Sequence, residues 1–308
     1  MIHLRVVCPQ HKARAVQDAL SAATGVVAVR AGVDTSDGQE ITADLARESA
    51  GSVLATLHHL DVGTDGLITI EPLDTALGML ADRAEREAPG EGADAVIWDE
   101  LAARTGEDST LTWTFLAFLV LATLLASIGV VTDSPITIVG AMVVGPEFGP
   151  LAGLAVGILR RRADAVRRAL LALLVGFPVA LVVCSLLALL ARAVGLIHAG
   201  DITGSGRQTE FIYHPGWFSL ITALVAGTAG MLSLTSSKSA ALVGVFISVT
   251  TVPAAGNAAV AGVLGQWRET WLSLAQLGIN LVGIVAAGVL TLAALRAGQA
   301  ADDRVLRR

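Results

Sequence analysis

Residues 141–154 read AMVVGPEFGPLAGL. The stretch lies inside a long apolar run, yet it carries Pro146, Pro150, three glycines and a carboxylate, Glu147. A proline inside a helix removes a backbone donor and clashes with the preceding turn. In hydrocarbon, the carbonyls so freed cost several kcal/mol each unless protein or a watery cavity satisfies them. A second stretch, VFISVTTVPAAGNAAVAG (245–262), repeats the device with Pro253, Gly256 and Asn257. The fold is therefore read as a membrane domain in which two helices are interrupted at depth.

The composition agrees. Of 308 residues, 54% are hydrophobic and 16% charged, where soluble domains have nearer a quarter charged, and the mean hydropathy is +0.67. Charge concentrates in residues 1–110. From 111 to 297, six stretches approach the roughly 20 apolar residues a span needs: 111–131, 135–159, 168–195, 216–236, 240–264 and 271–296. Trp113, Trp217, Trp267 and Trp271 sit near their ends, as headgroup-level residues do. The link 160–168, RRRADAVRR, carries five arginines. By the positive-inside bias it is cytoplasmic, which places both termini in the cytoplasm and the chain in the inner (plasma) membrane. The N-terminus, MIHLRVVCPQHK, has no apolar core of signal-peptide length, so the later spans are expected to drive insertion.

Residues 1–75 alternate in a different period. Ile2–Cys8, 26–33, 40–46 and 67–73 read as strands, and 11–23 and 53–60 as helices. The order β-α-β-β-α-β is the ferredoxin-like pattern. Residues 76–110 form an amphipathic helical linker, read as packing on the soluble domain or on another subunit. Residues 298–308 are a cytosolic tail.

The net charge of −6 argues against a nucleic-acid partner. Two cysteines, Cys8 and Cys184, make no disulfide framework. His3 and Cys8 face opposite sides of one strand, which disfavours a shared metal. His198, Asp201, Glu210 and His214 share a glycine-rich loop without ligand spacing. No GxSxG, HExxH or paired aspartates occur at span depth. We expect no enzyme activity, no metal and no cofactor.

An intramembrane acid is by default a functional hypothesis. Glu147 could be held neutral by protonation, could sit at the N-terminus of the half-helix that follows, where free N–H groups favour an anion, or could face a hydrated path and bind a cation. Each interrupted span is the middle one of three. Three is odd, so the halves would be inverted, the plan of many secondary transporters with midplane sites. The expected transport or binding residues are Glu147, Pro146, Gly149, Pro150, Thr250, Thr251, Pro253, Gly256 and Asn257. Gly145, Gly149, Gly153 and Gly157 recur every four residues, a ridge that lets helices touch closely, within or between subunits. The runner-up reading is a non-transporting oligomeric scaffold or sensor whose soluble domain binds a ligand or partner. The expected partners are the lipid bilayer, further copies of the chain, and an ion or small polar solute.

The motifs GAMVVGPEFGPLAGLAVG (140–157), LVGVFISVTTVPAAGNAAVAG (242–262) and LAQLGINLVGIVAAGVLTL (274–292) resemble the bacterial and archaeal membrane family called domain of unknown function 389, or uncharacterised hydrophobic domain. The small N-terminal domain resembles one that many members carry. Members often have Met-Gly-Pro in the first motif, where this chain has Glu147-Phe148 before Gly149-Pro150. The resemblance implies a multi-span membrane architecture and supplies no activity.

Overall fold

The computed structural model describes residues 1–36, 38–73, 75–88, 96–202, 207–208, 216–235 and 251–306. The chain divides into two compact units, one built mainly from Met1–Leu101 and one from Ala102–Leu234 with Lys238–Gly298.

In the first unit, β1 (Ile2–Cys8) alternates buried and exposed side chains along its length, the period-2 pattern of a sheet with one covered face. It pairs antiparallel with β3 (Gly38–Leu45) on one side and β4 (Leu67–Pro72) on the other, while β2 (Val26–Thr35) pairs with β3. The order β2-β3-β1-β4 follows from two crossings, α1 (Gln10–Ala22) after β1 and α2 (Ala50–His59) after β3. Val16 and Leu20 of α1, Leu54 and Leu57 of α2, and Leu4, Val6, Ile41 and Leu45 of the sheet form one buried core. A bulge interrupts the β2–β3 register after Val27, with Ala28 in the left-handed region at φ 52°, as bulges demand.

The sequence reads 63–66 as a plain turn. The structure has instead a one-turn helix, α3 (Val62–Asp65), because Val62 is buried in the core and holds the turn inward. Residues 76–110, read from the sequence as a linker, contain α4 (Met79–Glu87) and α5 (Trp98–Asp108), and α4 falls within the first unit. Trp98 Nε1 donates to Gln299 Oε1 at 2.9 Å.

The second unit is helical. α6 (Trp113–Val131) begins on Thr112, whose hydroxyl accepts from the Phe115 N–H, an N-cap that satisfies one orphan donor. α7 (Pro135–Val144) starts with a proline in its first turn, where the missing N–H costs nothing. α8 (Phe148–Leu159) follows α7 across a bend of 53°. α9 (Ala163–Ala193), α10 (Trp217–Thr235), α11 (Val252–Val263) and α12 (Trp267–Leu306) complete the described helices. α6, α9, α10 and the Trp267–Gln299 part of α12 are each long and apolar enough to cross a membrane, and the bent α7–α8 pair makes a fifth candidate. Of the fifth predicted stretch, 240–264, residues 240–250 lie outside the described residues. Among the described residues there are thus four candidate spans, or five with the bent α7–α8 pair counted as one.

The core of this unit is α11. Ten of its residues, Val252–Ala261, are buried, against α6, α7 and α9. Gly256 sets the distance: a Cβ there would come within 2.8 Å of Ala126 Cβ and Ser127 N on α6.

Candidate functional site

Pro146 lies between α7 and α8, outside both helices, and Gly145 caps α7 with an extended backbone. The chain leaves helical geometry where the proline forbids it and resumes at Phe148. Pro150 is buried in the first turn of α8, again where a missing N–H is harmless. Pro253 stands likewise in the first turn of α11, with Thr251 as N-cap. Both prolines thus mark helix starts rather than mid-helix kinks.

Glu147 is the N-cap residue of α8, but its side chain makes no capping hydrogen bond to that helix. It is fully buried. Its Oε1 instead accepts from Thr251 Oγ1 at 2.6 Å. Thr251 is also fully buried. The contact therefore joins the starts of two helices, α8 and α11, whose unpaired N–H groups and dipoles make the region favourable for negative charge. Such an arrangement can hold a carboxylate in apolar surroundings, and it can pass that carboxylate between a protein partner and a cation or proton.

The other expected residues divide among separate contacts. Asn257, 1% exposed, donates from Nδ2 to Ser273 Oγ on α12 at 2.8 Å, so its amide is committed to α12. The Gly256 carbonyl accepts from Ser127 Oγ at 3.2 Å. Thr250 lies outside the described residues. Of the predicted glycine ridge, Gly145 lies outside α8 as the extended C-cap of α7, and Gly149, Gly153 and Gly157 pack within the chain. A Cβ on Gly149 would meet Asp108, one on Gly153 would meet Ser109 and the Thr105 carbonyl, and one on Gly157 would meet Val166. The linker helix α5 thus sets its C-terminal half against α8, a contact that its acidic polar face does not advertise.

In one further polar set, Asn280 is legible in the sequence as a polar residue joining helices, whereas Ser273 and Gln276 escaped the sequence reading. Ser273, Gln276 and Asn280 share a face of α12 and are all buried. Ser219 of α10 donates to Asn280 Oδ1 at 3.1 Å and accepts from Gln276 Nε2. The i, i+3, i+7 spacing of these polar residues within an apolar run was the available signal.

Of the loop residues considered for a metal, Glu210 and His214 lie outside the described residues. His198 N–H donates to Asp201 Oδ2 at 2.7 Å, a capping turn. No group of three or more His, Cys, Asp or Glu placed to hold a metal occurs among the described residues.

Residues 142–286, which include Glu147, Thr251 and Asn257, match the model of the family described as "Domain of unknown function (DUF389)". An uncharacterised protein of Methanocaldococcus jannaschii is 26% identical over 203 residues, covering 65% of this chain and 60% of that protein. The chain thus aligns with about three fifths of the length of this curated relative. No solved structure matches the chain.

Proposed function

We propose that this chain, whose residues 142–286 match the family described as domain of unknown function 389, is a membrane transporter or channel for an ion or small polar solute. The observation that carries the reading is the buried Glu147–Thr251 contact, 2.6 Å long, at the meeting of two helix starts. An acid costs free energy in hydrocarbon. Discontinuous helices whose ends converge on such a group are the usual way transporters build a midplane site. Thr251 stabilises the carboxylate when no cation is bound, and a cation or proton arriving at Glu147 competes for the same oxygen. Pro146 and Pro253 keep the two helix ends free of the backbone bonds that would otherwise cover the site.

The rest of the proposal follows from the sequence. Six spans form an inverted pair of three, both termini face the cytoplasm of a cell whose inner membrane holds the protein, and several copies assemble. The N-terminal unit is a ferredoxin-like domain that regulates or assembles the membrane part, and the chain is not an enzyme.

The test is flux in reconstituted vesicles across a panel of cations, protons and small polar solutes. Glu147→Gln keeps shape and removes charge. It should lower the flux of the transported species by roughly tenfold or more, the worth of a charge-assisted hydrogen bond. If wild type moves nothing on the panel, or Glu147→Gln transports at the wild-type rate, the reading is wrong.

A further inference from the structure

Four described helices of the second unit end in the same motif. The residue after the helix takes a left-handed backbone, and its neighbours' N–H groups reach back to the helix's last free carbonyls. After α9 and α11 the left-handed residue is a glycine, Gly195 at φ 77° and Gly265 at φ 80°, with Leu196 N–H to Ala191 O and Gln266 N–H to Ala261 O, each 2.9 Å. After α6 it is Asp133 at φ 49°, whose carboxylate pairs with Arg207 at 3.7 Å and accepts from the Gln208 N–H at 3.2 Å. After α8 it is Arg161 at φ 55°, with Arg162 N–H to Gly157 O at 2.9 Å. Glycine fits this conformation without strain, whereas a side chain does not. Asp133 has partners that account for its place. The Arg161 guanidinium has no ion pair or hydrogen bond among the described residues. A strained arginine stands where glycine serves elsewhere.

Beside it runs an open groove of about 500 Å³ between the end of α8 and the start of α9, lined by Arg161, Arg162 and Arg167 and by the exposed apolar side chains Ile158, Leu170 and Leu174. The charges and the leucines are stacked along the helix axis. From Arg167, Leu170 lies roughly 5 Å and Leu174 roughly 10 Å further along α9, at about 1.5 Å per residue. α9 is long and apolar enough to span, so the arginines stand at its polar edge and the leucines within its apolar length. Cation at the edge and hydrocarbon below is the complement of a phospholipid with an anionic headgroup.

We propose that this groove binds an anionic phospholipid, its phosphate against Arg161, Arg162 and Arg167 and an acyl chain along Leu170 and Leu174. The site is independent of the transport reading, because it uses neither Glu147 nor Thr251. Arg161 lines this groove together with Arg162 and Arg167, and its left-handed backbone is kept at a position where glycine would be unstrained.

The experiment uses the full chain in a neutral detergent, with phosphatidylglycerol, phosphatidylcholine or glycerol phosphate added, and reads bound lipid by native mass spectrometry together with the thermal midpoint. Phosphatidylglycerol should be retained and should raise the midpoint. Phosphatidylcholine of the same chain length and glycerol phosphate should do so weakly or not at all, since one lacks the net charge and the other the chain. A basic residue near an anionic lipid surface contributes roughly fivefold in affinity, so the triple change Arg161→Gln, Arg162→Gln, Arg167→Gln should weaken phosphatidylglycerol binding by on the order of a hundredfold. Arg161→Gly gives the sharper result and keeps the fold. It should raise the midpoint without lipid, by relieving the turn, while weakening phosphatidylglycerol binding about fivefold. Equal retention of the two lipids, or unchanged phosphatidylglycerol affinity in Arg161→Gly, overturns the proposal. So does a change in subunit number without a change in lipid retention, which would make the groove a contact between copies.

Discussion

The sheet of the first unit and the helix α11 of the second treat polar groups in opposite ways. On the uncovered face of the sheet, charges stand in partly exposed pairs. His3 Nδ1 lies 2.7 Å from Asp44 Oδ1, and Arg5 lies 2.9 Å from Glu40, both between β1 and β3. Around α11 the polar groups are enclosed and joined by short bonds, among them Glu147 to Thr251 and Asn257 to Ser273. Exposed pairs gain little, because water competes for each partner and salt screens the rest. Enclosed groups have no such alternative, so losing one partner leaves the full desolvation cost on the other. The sheet can therefore exchange its polar residues freely, whereas the helical unit cannot.

Five substitutions and one titration test that contrast, beginning with the most damaging. Gly256→Leu drives a side chain into Ala126 and Ser127, which a Cβ alone would already approach at 2.8 Å. Overpacking of this kind costs about 3 kcal/mol or more at a site that cannot yield, and the expected result is loss of monodisperse protein in detergent. Thr251→Val preserves volume and removes the donor to Glu147. It should destabilise by about 2 kcal/mol, the cost of removing the donor to a buried acceptor, read as a drop in the thermal midpoint. A midpoint within error of wild type would show that the carboxylate does not depend on Thr251 and would erase the contrast.

Asn257→Ala should cost about 1 kcal/mol, the usual worth of a hydrogen bond between membrane helices, and Ser273→Ala on top of it should add little, since the pair acts as one. Arg5→Ala should change stability by less than about 1 kcal/mol, because the Arg5–Glu40 pair is solvent-accessible. An Arg5→Ala loss as large as that of Thr251→Val would show that the sheet face is covered in the working protein. The smallest effect is a titration. Burial pushes the Cys8 thiol above its ordinary value of 9.0, partly opposed by the nearby Lys12 ammonium. The folded state thus holds this proton more tightly than the unfolded chain. Its contribution is complete below pH 9 and fades as pH rises through the raised value. A maleimide at pH 8 should label Cys8 more slowly in the native protein than after denaturation.

Different parts of this architecture were legible in the sequence to different degrees, for identifiable reasons. The β-α-β-β-α-β order could be read because strand and helix periods differ and β1, α1, β3 and α2 each carry a buried stripe. The interruption at Pro146 was legible because proline acts locally. Partner choice was not. Glu147 precedes α8 and could as well have capped it; that it turns to Thr251, 104 residues away, depends on how α8 and α11 cross. Asn257 was visible as a polar residue in an apolar run, but serines are common, and nothing near Ser273 marks it as the acceptor. The glycine ridge announced close packing without naming its partner, which proved to be α5 and α9 of the same chain. Arg161 was read as one more charge fixing orientation. Its left-handed backbone could not be foreseen, since that position ordinarily calls for glycine.

The make-up of α11 has one more outcome. Its sequence, VPAAGNAAVAGV, is mostly alanine and glycine, side chains that have no rotamers to change. A densely packed rod of this kind cannot open a path by swinging a side chain aside. If the Glu147–Thr251 contact parts during a working cycle without a rotamer change at either residue, α11 travels as a stiff piston against α6 and α9. Such a stroke would leave side-chain torsions along the rod untouched and would appear as a change in spacing between tags on neighbouring helices.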